Sequence, residues 1–474
     1  MPLLRLPLEI HLAIIAEVVA APLEDVHGIR RSRDDAATVD RASLLSLGKS
    51  CSFYRGIVLP KIYESVTLRN TEKSGDSIQA IAQSTFSHHV KRLNFVGSAP
   101  GDNEGIAYRD TEGVMPESVY DVLGRLDQFS NLETLSVRFD FHFNVNFSSH
   151  EKWKRGFEMF SPKERYATVV KAEESQSWRA LMALAWSAIV RNGVFRFKAL
   201  EIHELLPKEV STYSTPEFRR LLGSMDRVYI STYGLQDDHL IRTSNMLRGV
   251  HYFYSRLDEL FLDHLDGVKH FTLRAHESCH LGLGATDHHL PLPLHDYHMP
   301  ALESIHLESV FVCPNLLEFF ETHTDSLRDV VMRDCMGSAN QDGTLDEPGV
   351  LWEQLLNTMA DASPQRLRSI VVDSADGLTS HEASYGSLED ESHQDFDGNG
   401  DMGENGVLAH ARLRGARYPW SIAEDDQRIK FAYKISHRKR GCLEDDGAQQ
   451  ARAWRNGDDL RAYNRLVRIV KSNR

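Results

Sequence analysis

Leu302-Glu303-Ser304-Ile305-His306-Leu307 and Leu327-Arg328-Asp329-Val330-Val331-Met332 are two copies of one six-residue pattern. Each copy has the order apolar, charged, any residue, apolar, any residue, apolar. Because the apolar residues at the fourth and sixth positions alternate with other residues, the pattern predicts a short β-strand with one face turned inward. The charged second residue is then expected to face solvent.

Further copies of this pattern predict a protein in which strands alternate with helices. They lie at residues 90–95, 132–137, 197–202, 225–230, 268–273 and 367–372. Helix-like segments lie between copies at residues 77–84, 177–190, 314–321 and 351–361. Strand, helix, strand, helix is the order of elements in stacked-repeat folds. The fold class expected from this order is α+β or α/β.

The copies that begin at Leu302 and Leu327 are 25 residues apart, and this spacing resembles that of leucine-rich repeats. Most other copies are farther apart. We therefore predict an irregular leucine-rich-repeat-like α/β solenoid, with insertions, over residues 69–372. In such a stack the strand face is an extended surface for a partner. An irregular α/β domain without true repeats is the alternative.

The first 68 residues differ from the rest of the chain, because their apolar residues recur at helical spacing. Leu6-Pro7-Leu8-Glu9-Ile10 opens a helix, because proline suits the first helical turn. Ile10 and Ile14 are four residues apart and belong to one apolar face of that helix. A second helical segment over residues 40–55 places Leu44 and Leu47 on a shared face.

Residues 4–68 resemble an F-box. The features that match are the Leu-Pro-x-Glu-Ile opening, the Leu-x-x-Leu of the second helix, and the aromatic residue and arginine after Cys51-Ser52. Family membership implies that this F-box-like module docks the small adaptor of cullin-based ubiquitin ligases. An ordinary helical hairpin is the alternative. The residues that the resemblance assigns to adaptor binding are Leu6, Pro7, Ile10, Ile14, Leu44 and Leu47.

The resemblance as a whole implies the substrate-recognition subunit of a cullin-based (SCF-type) ubiquitin ligase. The F-box would bind the adaptor and through it the cullin, and the repeat domain would bind an unknown protein substrate. Such a subunit is not an enzyme, so we expect no catalytic residue and no cofactor. An F-box scaffold that acts outside a ligase is the first alternative, and a zinc hydrolase is the second.

The zinc alternative depends on His276-Glu277-Ser278-Cys279-His280, which matches His-Glu-x-x-His. On a helix, the two histidines share one face and bind zinc, and the glutamate serves as general base. Gly282 and Gly284 follow at once, and glycine weakens the helix that this motif needs. We therefore predict no metal and interpret the histidine-rich stretch around the motif as a polar insertion. Within it, residues 290–294 read as an extended loop because two prolines alternate with leucines.

Composition indicates an ordinary soluble protein, with 41% hydrophobic and 26% charged residues. Five widely spaced cysteines without a Cys-x-x-Cys pair favour a reducing compartment. No apolar run reaches the roughly 18 residues of a membrane span, so we expect a cytoplasmic or nuclear protein. The net charge of −14 repels nucleic-acid backbones, and a nucleic-acid partner is not expected.

Charge is distributed unevenly along the chain. Residues 407–474 hold 16 Lys and Arg against 8 Asp and Glu, whereas no Lys or Arg lies between Arg368 and Arg412. Residues 373–406 are therefore predicted to be an acidic disordered loop or linker. Residues 407–474 form a basic segment. It should end in a helix over residues 458–471, because Leu466 and Val470 belong to an apolar row at helical spacing.

Overall fold

The structure, a computed structural model, describes eleven stretches of the chain, and all structural statements refer to them. They are residues 10–11, 41–98, 115–141, 166–234, 247–276, 279–282, 290–338, 349–373, 431–437, 442–445 and 447–474.

Helices and strands alternate through most of the described chain. The helices are α1 (Arg41–Ser50), α2 (Ser52–Glu64), α3 (Glu72–Ala82), α4 (Glu117–Leu123), α5 (Tyr166–Ser175), α6 (Ser177–Val190), α7 (Pro216–Gly223), α8 (Arg248–Tyr254), α9 (Leu257–Leu260), α10 (Pro314–Thr322), α11 (Trp352–Asp361), α12 (Gly447–Asn456) and α13 (Asp458–Ser472). The strands are β1 (Ser65–Arg69), β2 (Arg92–Ser98), β3 (Thr134–Asp140), β4 (Ala199–Leu205), β5 (Arg227–Thr232), β6 (His270–Arg274), β7 (Ser304–Glu308), β8 (Asp329–Arg333), β9 (Met336–Gly337), β10 (Ser369–Asp373), β11 (Ala432–His437) and β12 (Cys442–Asp445).

The chain divides into two compact units, and each unit is assembled from separate stretches of sequence. The first unit comprises residues 1–144, 164–205 and 209–228, and the second comprises residues 145–163, 206–208 and 229–474. Strands β1 to β4 belong to the first unit, and strands β6 to β12 belong to the second. The prediction of one repeat domain over residues 69–372 did not anticipate this division.

All eight stretches predicted to be strands contain one, and the strand begins two residues after the first residue of each copy. The first, fourth and sixth residues of every copy are buried. The predicted α/β class is therefore confirmed, with parallel strands between helices. A ninth copy, Tyr63 to Leu68, was missed because it was counted within the N-terminal module.

Strands β1, β2, β3 and β4 are parallel neighbours in chain order in the first unit. Their fourth positions stand side by side, and so do their sixth positions. Eight buried apolar side chains thus make two rows beneath the helices, and the odd positions point to the other face. The two rows are Val66, Leu93, Leu135 and Leu200, and Leu68, Phe95, Val137 and Ile202.

The second unit repeats this ladder with β6, β7, β8 and β10. Phe271, Ile305, Val330 and Ile370 are the four aligned residues at the fourth position. Helices before and after these strands cover the apolar side. Because the register is the same in both units, any repeat position can be compared directly between them.

Helices α1 and α2 form the N-terminal module around Leu44, Val58 and Ile62. Helix α2 ends at Glu64 and strand β1 begins at Ser65, so no linker separates them. The helical module therefore ends at residue 64, and the predicted boundary at residue 68 falls inside β1.

The described part of the basic C-terminal segment, residues 431–437, 442–445 and 447–474, belongs to the second unit. Strand β11 pairs in parallel with β9, and α13 lies against α11, where Arg465 bonds to Asp361 at 2.6 Å. The predicted terminal helix over residues 458–471 is confirmed. Of the predicted acidic loop, Asp373 closes β10. Residues 374–406 lie outside the described residues.

Candidate functional surfaces

The N-terminal module exposes large apolar side chains. Ile10, Leu45 and Phe53 are 46%, 45% and 43% exposed. In the rest of the described chain, the large apolar residues with comparable exposure are Leu184, Val194, Tyr297 and Val371. Three such side chains within the N-terminal module and the short piece at residues 10–11 make this part of the chain a candidate for contact with a protein partner.

Packing of the module fixes the position of Phe53. His11 is buried, and its Nδ1 lies 2.9 Å from the Tyr54 hydroxyl. The Phe53 ring meets the His11 ring edge-on, with centroids 5.1 Å apart. The residue next to His11 is Ile10, so the described residues 10–11 are held against the start of α2 by this aromatic contact.

The sequence-predicted docking residues fall into different environments. Leu44 is fully buried with Val58 and Ile62, so its side chain holds the module together and offers no surface to a partner. Leu47 is half-buried against the same core. Ile10 is exposed, as docking requires. The residues outside the described chain are Leu6, Pro7 and Ile14.

Sequence analysis missed Leu45 and Phe53. The pattern drew attention to residues on one helix face, and that face turned out to be the one that packs inward. Leu45 follows Leu44 by about 100° around the helix, so it lies off the inward face. The signal in the sequence that could have identified an exposed candidate was an apolar residue, Leu45, just outside the buried face of the helix.

Outward positions of the strands form the second candidate surface. The seventh position is the residue directly after each six-residue copy, and it faces outward in the aligned strands β1 to β4, β6, β7, β8 and β10. It is arginine in β1, β3, β6 and β8. In the first unit, the aligned residues at this position are Arg69, Val96, Arg138 and His203. In the second unit they are Arg274, Glu308, Arg333 and Asp373. These two sets are called the seventh-position rows.

An ion-pair network spans the same face of the first unit. Arg92 on β2 donates to both carboxylate oxygens of Glu201 on β4, at 2.5 and 2.8 Å. The pair passes over β3, where the outward residues Thr134 and Ser136 are small and buried. His203 Nε2 lies 3.2 Å from the same carboxylate. Burial raises the pKa of Glu201, but the hydrogen bonds from His203 and Arg92 outweigh it, and the net pKa lies below its ordinary value.

The seventh-position row of the second unit is differently paired. Arg274 Nε lies 3.2 Å from Glu308. Arg333 stands beside Glu308 in register, yet its Nε is buried without a hydrogen-bond partner in the described part of the chain. Asp373 closes the row at an exposed position. Positive and negative side chains thus alternate from strand to strand.

The described residues of the His-Glu-x-x-His motif, which are His276, Cys279 and His280, do not lie in a helix. Cys279 N–H donates to the His276 carbonyl at 2.8 Å, and these two residues form an isolated antiparallel bridge. Glu277 lies outside the described residues. No group of three or more potential metal ligands is present among the described side chains. The described part of the motif therefore gives the zinc-hydrolase alternative no support.

The extended loop predicted at residues 290–294 is confirmed, but the burial of its leucines was not predicted from the interpretation of this stretch as a polar insertion. Leu290, Leu292 and Leu294 are buried, although the segment has no regular secondary structure apart from an isolated bridge at Leu290. The alternating prolines carry each leucine to the same inner side, in the manner of a strand. The segment contributes to the core of the second unit.

Buried histidines in this region hold the loops together. His298 Nδ1 accepts from the His295 backbone N–H at 2.9 Å, so Nε2 donates to Asp263 at 2.8 Å. Burial lowers the pKa of His298, although Asp263 opposes the change. His323 Nε2 contacts the His298 carbonyl at 2.8 Å. These bonds give His298 and His323 a role in packing.

Comparison with known proteins finds no family model that matches this sequence and no curated protein that matches it. Among the described helices, none combines the length and the apolar character that crossing a membrane requires.

Proposed function

We propose that this protein is the non-enzymatic substrate-recognition subunit of a cullin-based (SCF-type) ubiquitin ligase. The N-terminal module would bind the adaptor, and the strand faces would bind the substrate. The observation that carries this proposal is the exposed apolar set of Ile10, Leu45 and Phe53, on a module that carries the F-box-like sequence. Large apolar side chains that are nearly half exposed on so small a module are best explained by a partner that covers them.

The regular ladder supports the leucine-rich-repeat-like part of the proposal. The copy at Leu327 continues to Cys335 at the ninth position, where leucine-rich repeats carry asparagine or cysteine. Cys335 is buried, and its Sγ lies 3.5 Å from the Leu307 carbonyl on the neighbouring strand. Burial raises the pKa of this thiol to about 12, so it stays neutral as a hydrogen-bonding side chain.

The eighth position provides further support, because different residues there adopt the same backbone. Glu204, Ser309 and Asp334 all have φ between 50° and 58°. Such left-handed conformations are uncommon outside glycine, so their return at one repeat position indicates a shared turn. In the second unit the Ser309 N–H donates to Arg333 and the Asp334 N–H to Asp373, at 2.9 and 2.8 Å.

The joint between α2 and β1 suits a subunit that positions its substrate. Glu64 accepts the Lys91 N–H at 2.9 Å through its carbonyl, and its side chain lies 3.5 Å from Lys91 Nζ. Tyr63 stacks on Phe86 with ring centroids 4.8 Å apart. These contacts fix the module to the first repeat. Other subunits of the ligase would then transfer ubiquitin to a target held in a defined place.

The test is adaptor capture by the tagged full-length chain. Leu45→Ala with Phe53→Ala should reduce adaptor capture at least about tenfold, because truncating buried apolar anchors at an interface costs more than about 1 kcal/mol each. Leu184→Ala with Val194→Ala is the matched control, since those residues are 38% and 77% exposed outside the module. It should leave capture unchanged.

Two other results would change the assignment. If wild type captures no adaptor, or if both double variants capture it equally, the docking proposal fails. If wild type captures adaptor without cullin, the protein is a scaffold that acts outside a ligase. Circular dichroism of each variant separates loss of docking from loss of folding.

A further inference from the structure

The seventh-position row of the first unit consists of Arg69, Val96, Arg138 and His203, with no acidic residue in register. Arg69 is exposed at its end of the row, and no ion pair of its side chain is found within the described chain. The rest of the protein carries a net negative charge. A basic row on an acidic molecule is a distinct feature of this face.

Of the two arginines, Arg138 already has an acidic neighbour, and that contact is an exposed one. Glu201 is already held by Arg92 and His203. Glu204 lies 3.1 Å from Arg138, but both side chains are about 40% exposed, at 40% and 42%. Exposed pairs of this kind contribute about 0–1 kcal/mol, so an incoming carboxylate can replace Glu204. Asp140, two residues after Arg138, lies at the end of its strand.

The spacing of the arginines sets the geometry of a ligand. Neighbouring strands lie about 4.8 Å apart, so the backbones at Arg69 on β1 and Arg138 on β3 are separated by about 9.6 Å, and two side chains that extend straight out from the sheet keep that separation. Val96 lies between them as an apolar floor. A ligand that engages both guanidinium groups needs two anionic groups with a similar separation.

A polyproline II segment meets this requirement. It rises about 3.1 Å per residue with three residues per turn, so side chains three positions apart point the same way and lie about 9.3 Å apart. Residues two apart on a β-strand are only about 6.7 Å apart. Two turns of α-helix span about 10.8 Å, which is longer than the separation of about 9.6 Å between the two arginine positions.

We propose that the seventh-position row of the first unit binds an extended, polyproline II-like peptide segment with acidic side chains three residues apart. Arg69 and Arg138 each receive one carboxylate, and Val96 contacts the chain between them. This inference rests on the proposed function in one respect, namely that the segment belongs to the ubiquitination substrate. Binding of the segment itself does not require the adaptor.

The experiment measures fluorescence anisotropy of a labelled, proline-rich peptide with two glutamates three positions apart, titrated with the full-length protein. Arg69→Gln and Arg138→Gln should each weaken binding about 5–10-fold, the effect of removing one charge-assisted contact. Lys73→Gln is the matched control, because Lys73 is an exposed cation of the same unit that lies on helix α3 and not on a strand. It should have no effect.

Three comparison ligands make the outcome decisive. A peptide of the same composition with glutamates two positions apart should bind at least about fivefold more weakly, and one with glutamines in place of glutamates should not bind. Equal binding of the two isomers, an equal loss in Lys73→Gln, or tighter binding of a single-stranded oligonucleotide would each overturn the proposal.

Adaptor capture is measured on the same protein preparations. Capture that persists while no peptide binds would remove the peptide proposal and leave the ligase assignment intact. Specific peptide binding without adaptor capture would support the peptide proposal and overturn the ligase assignment.

Discussion

The two units build the same ladder and place different side chains on it. In the first unit the seventh-position row alternates arginine with valine and histidine. In the second unit arginine alternates with Glu308 and Asp373 at the same register. The second row satisfies its own charges in part, as the Arg274–Glu308 contact shows. The first row leaves Arg69 for an outside partner.

This difference separates what the fold requires from what recognition requires. The buried fourth and sixth positions are aliphatic, methionine or phenylalanine in both units, because they must fill the space beneath the helices. The outward positions have no such constraint, so their charge can differ between units without changing the backbone. The outward rows are thus where the two units can acquire different partners.

The largest effect is expected from breaking the shared ladder. Leu135→Ala in the first unit and Ile305→Ala in the second should each lower the free energy of unfolding by about 2–5 kcal/mol, because both side chains are fully buried. Hydrogen exchange read by mass spectrometry would show the loss of protection in the affected unit. Thr67→Ala, at an outward position of β1, is the control and should change little. If one unit tolerates its ladder variant, the two ladders are not equivalent.

Exchanging the two rows should have a smaller but specific effect. Val96→Glu with His203→Asp gives the first unit the acids of the second, and binding of the acidic peptide should fall more than about tenfold through like-charge repulsion. Glu308→Val with Asp373→His should create weak binding of the acidic peptide in the second unit. This binding is measured in a protein that also carries Arg69→Gln, so that the first unit does not contribute. Fluorescence anisotropy measures both changes.

Val96→Thr, which keeps the shape and adds no charge, is the control for the row exchange. It should bind within about twofold of wild type, since no ion pair is altered. Unchanged binding in the Val96→Glu and His203→Asp variant would show that the row does not select the peptide.

Much of the ladder could be predicted from the sequence, because burial on one strand face imposes a period of two that survives in a single chain. The copy at Tyr63 was missed because helix α2 runs straight into it, and only the structure shows where helix gives way to strand. The seventh-position arginines were visible in the sequence. Their alignment was not, since register across strands depends on loops of unequal length.

The docking residues show a different limit. Helical periodicity identified Leu44 correctly as part of an apolar face, but it cannot tell an inward face from an interface. Leu45 and Phe53 became candidates only when their exposure was known. Likewise the His276 motif satisfied a pattern of residue types, while its described residues His276 and Cys279 lie in an isolated bridge and not in a helix.

The smallest effect concerns Glu201, which has no acidic counterpart among the fifth-position residues of the second unit. Its pKa is below the ordinary value of 4.5, since the bonds from His203 and Arg92 outweigh burial, which acts in the opposite direction. The folded state therefore favours the carboxylate. Its stabilising contribution is complete above pH 4.5 and is lost as pH falls through the lower folded pKa.

Glu201→Gln should accordingly lower the free energy of unfolding by no more than about 1 kcal/mol at neutral pH, because Arg92 is 41% exposed and solvent screens the pair. The difference from wild type should shrink below pH 4.5 and vanish at lower pH, as measured by urea unfolding across a pH series. Val331→Thr, at the fifth position of β8, should show no such dependence, because no charge changes there. A difference for Glu201→Gln that stays constant from neutral pH to pH 3 would mean that the network across β2, β3 and β4 contributes through shape alone.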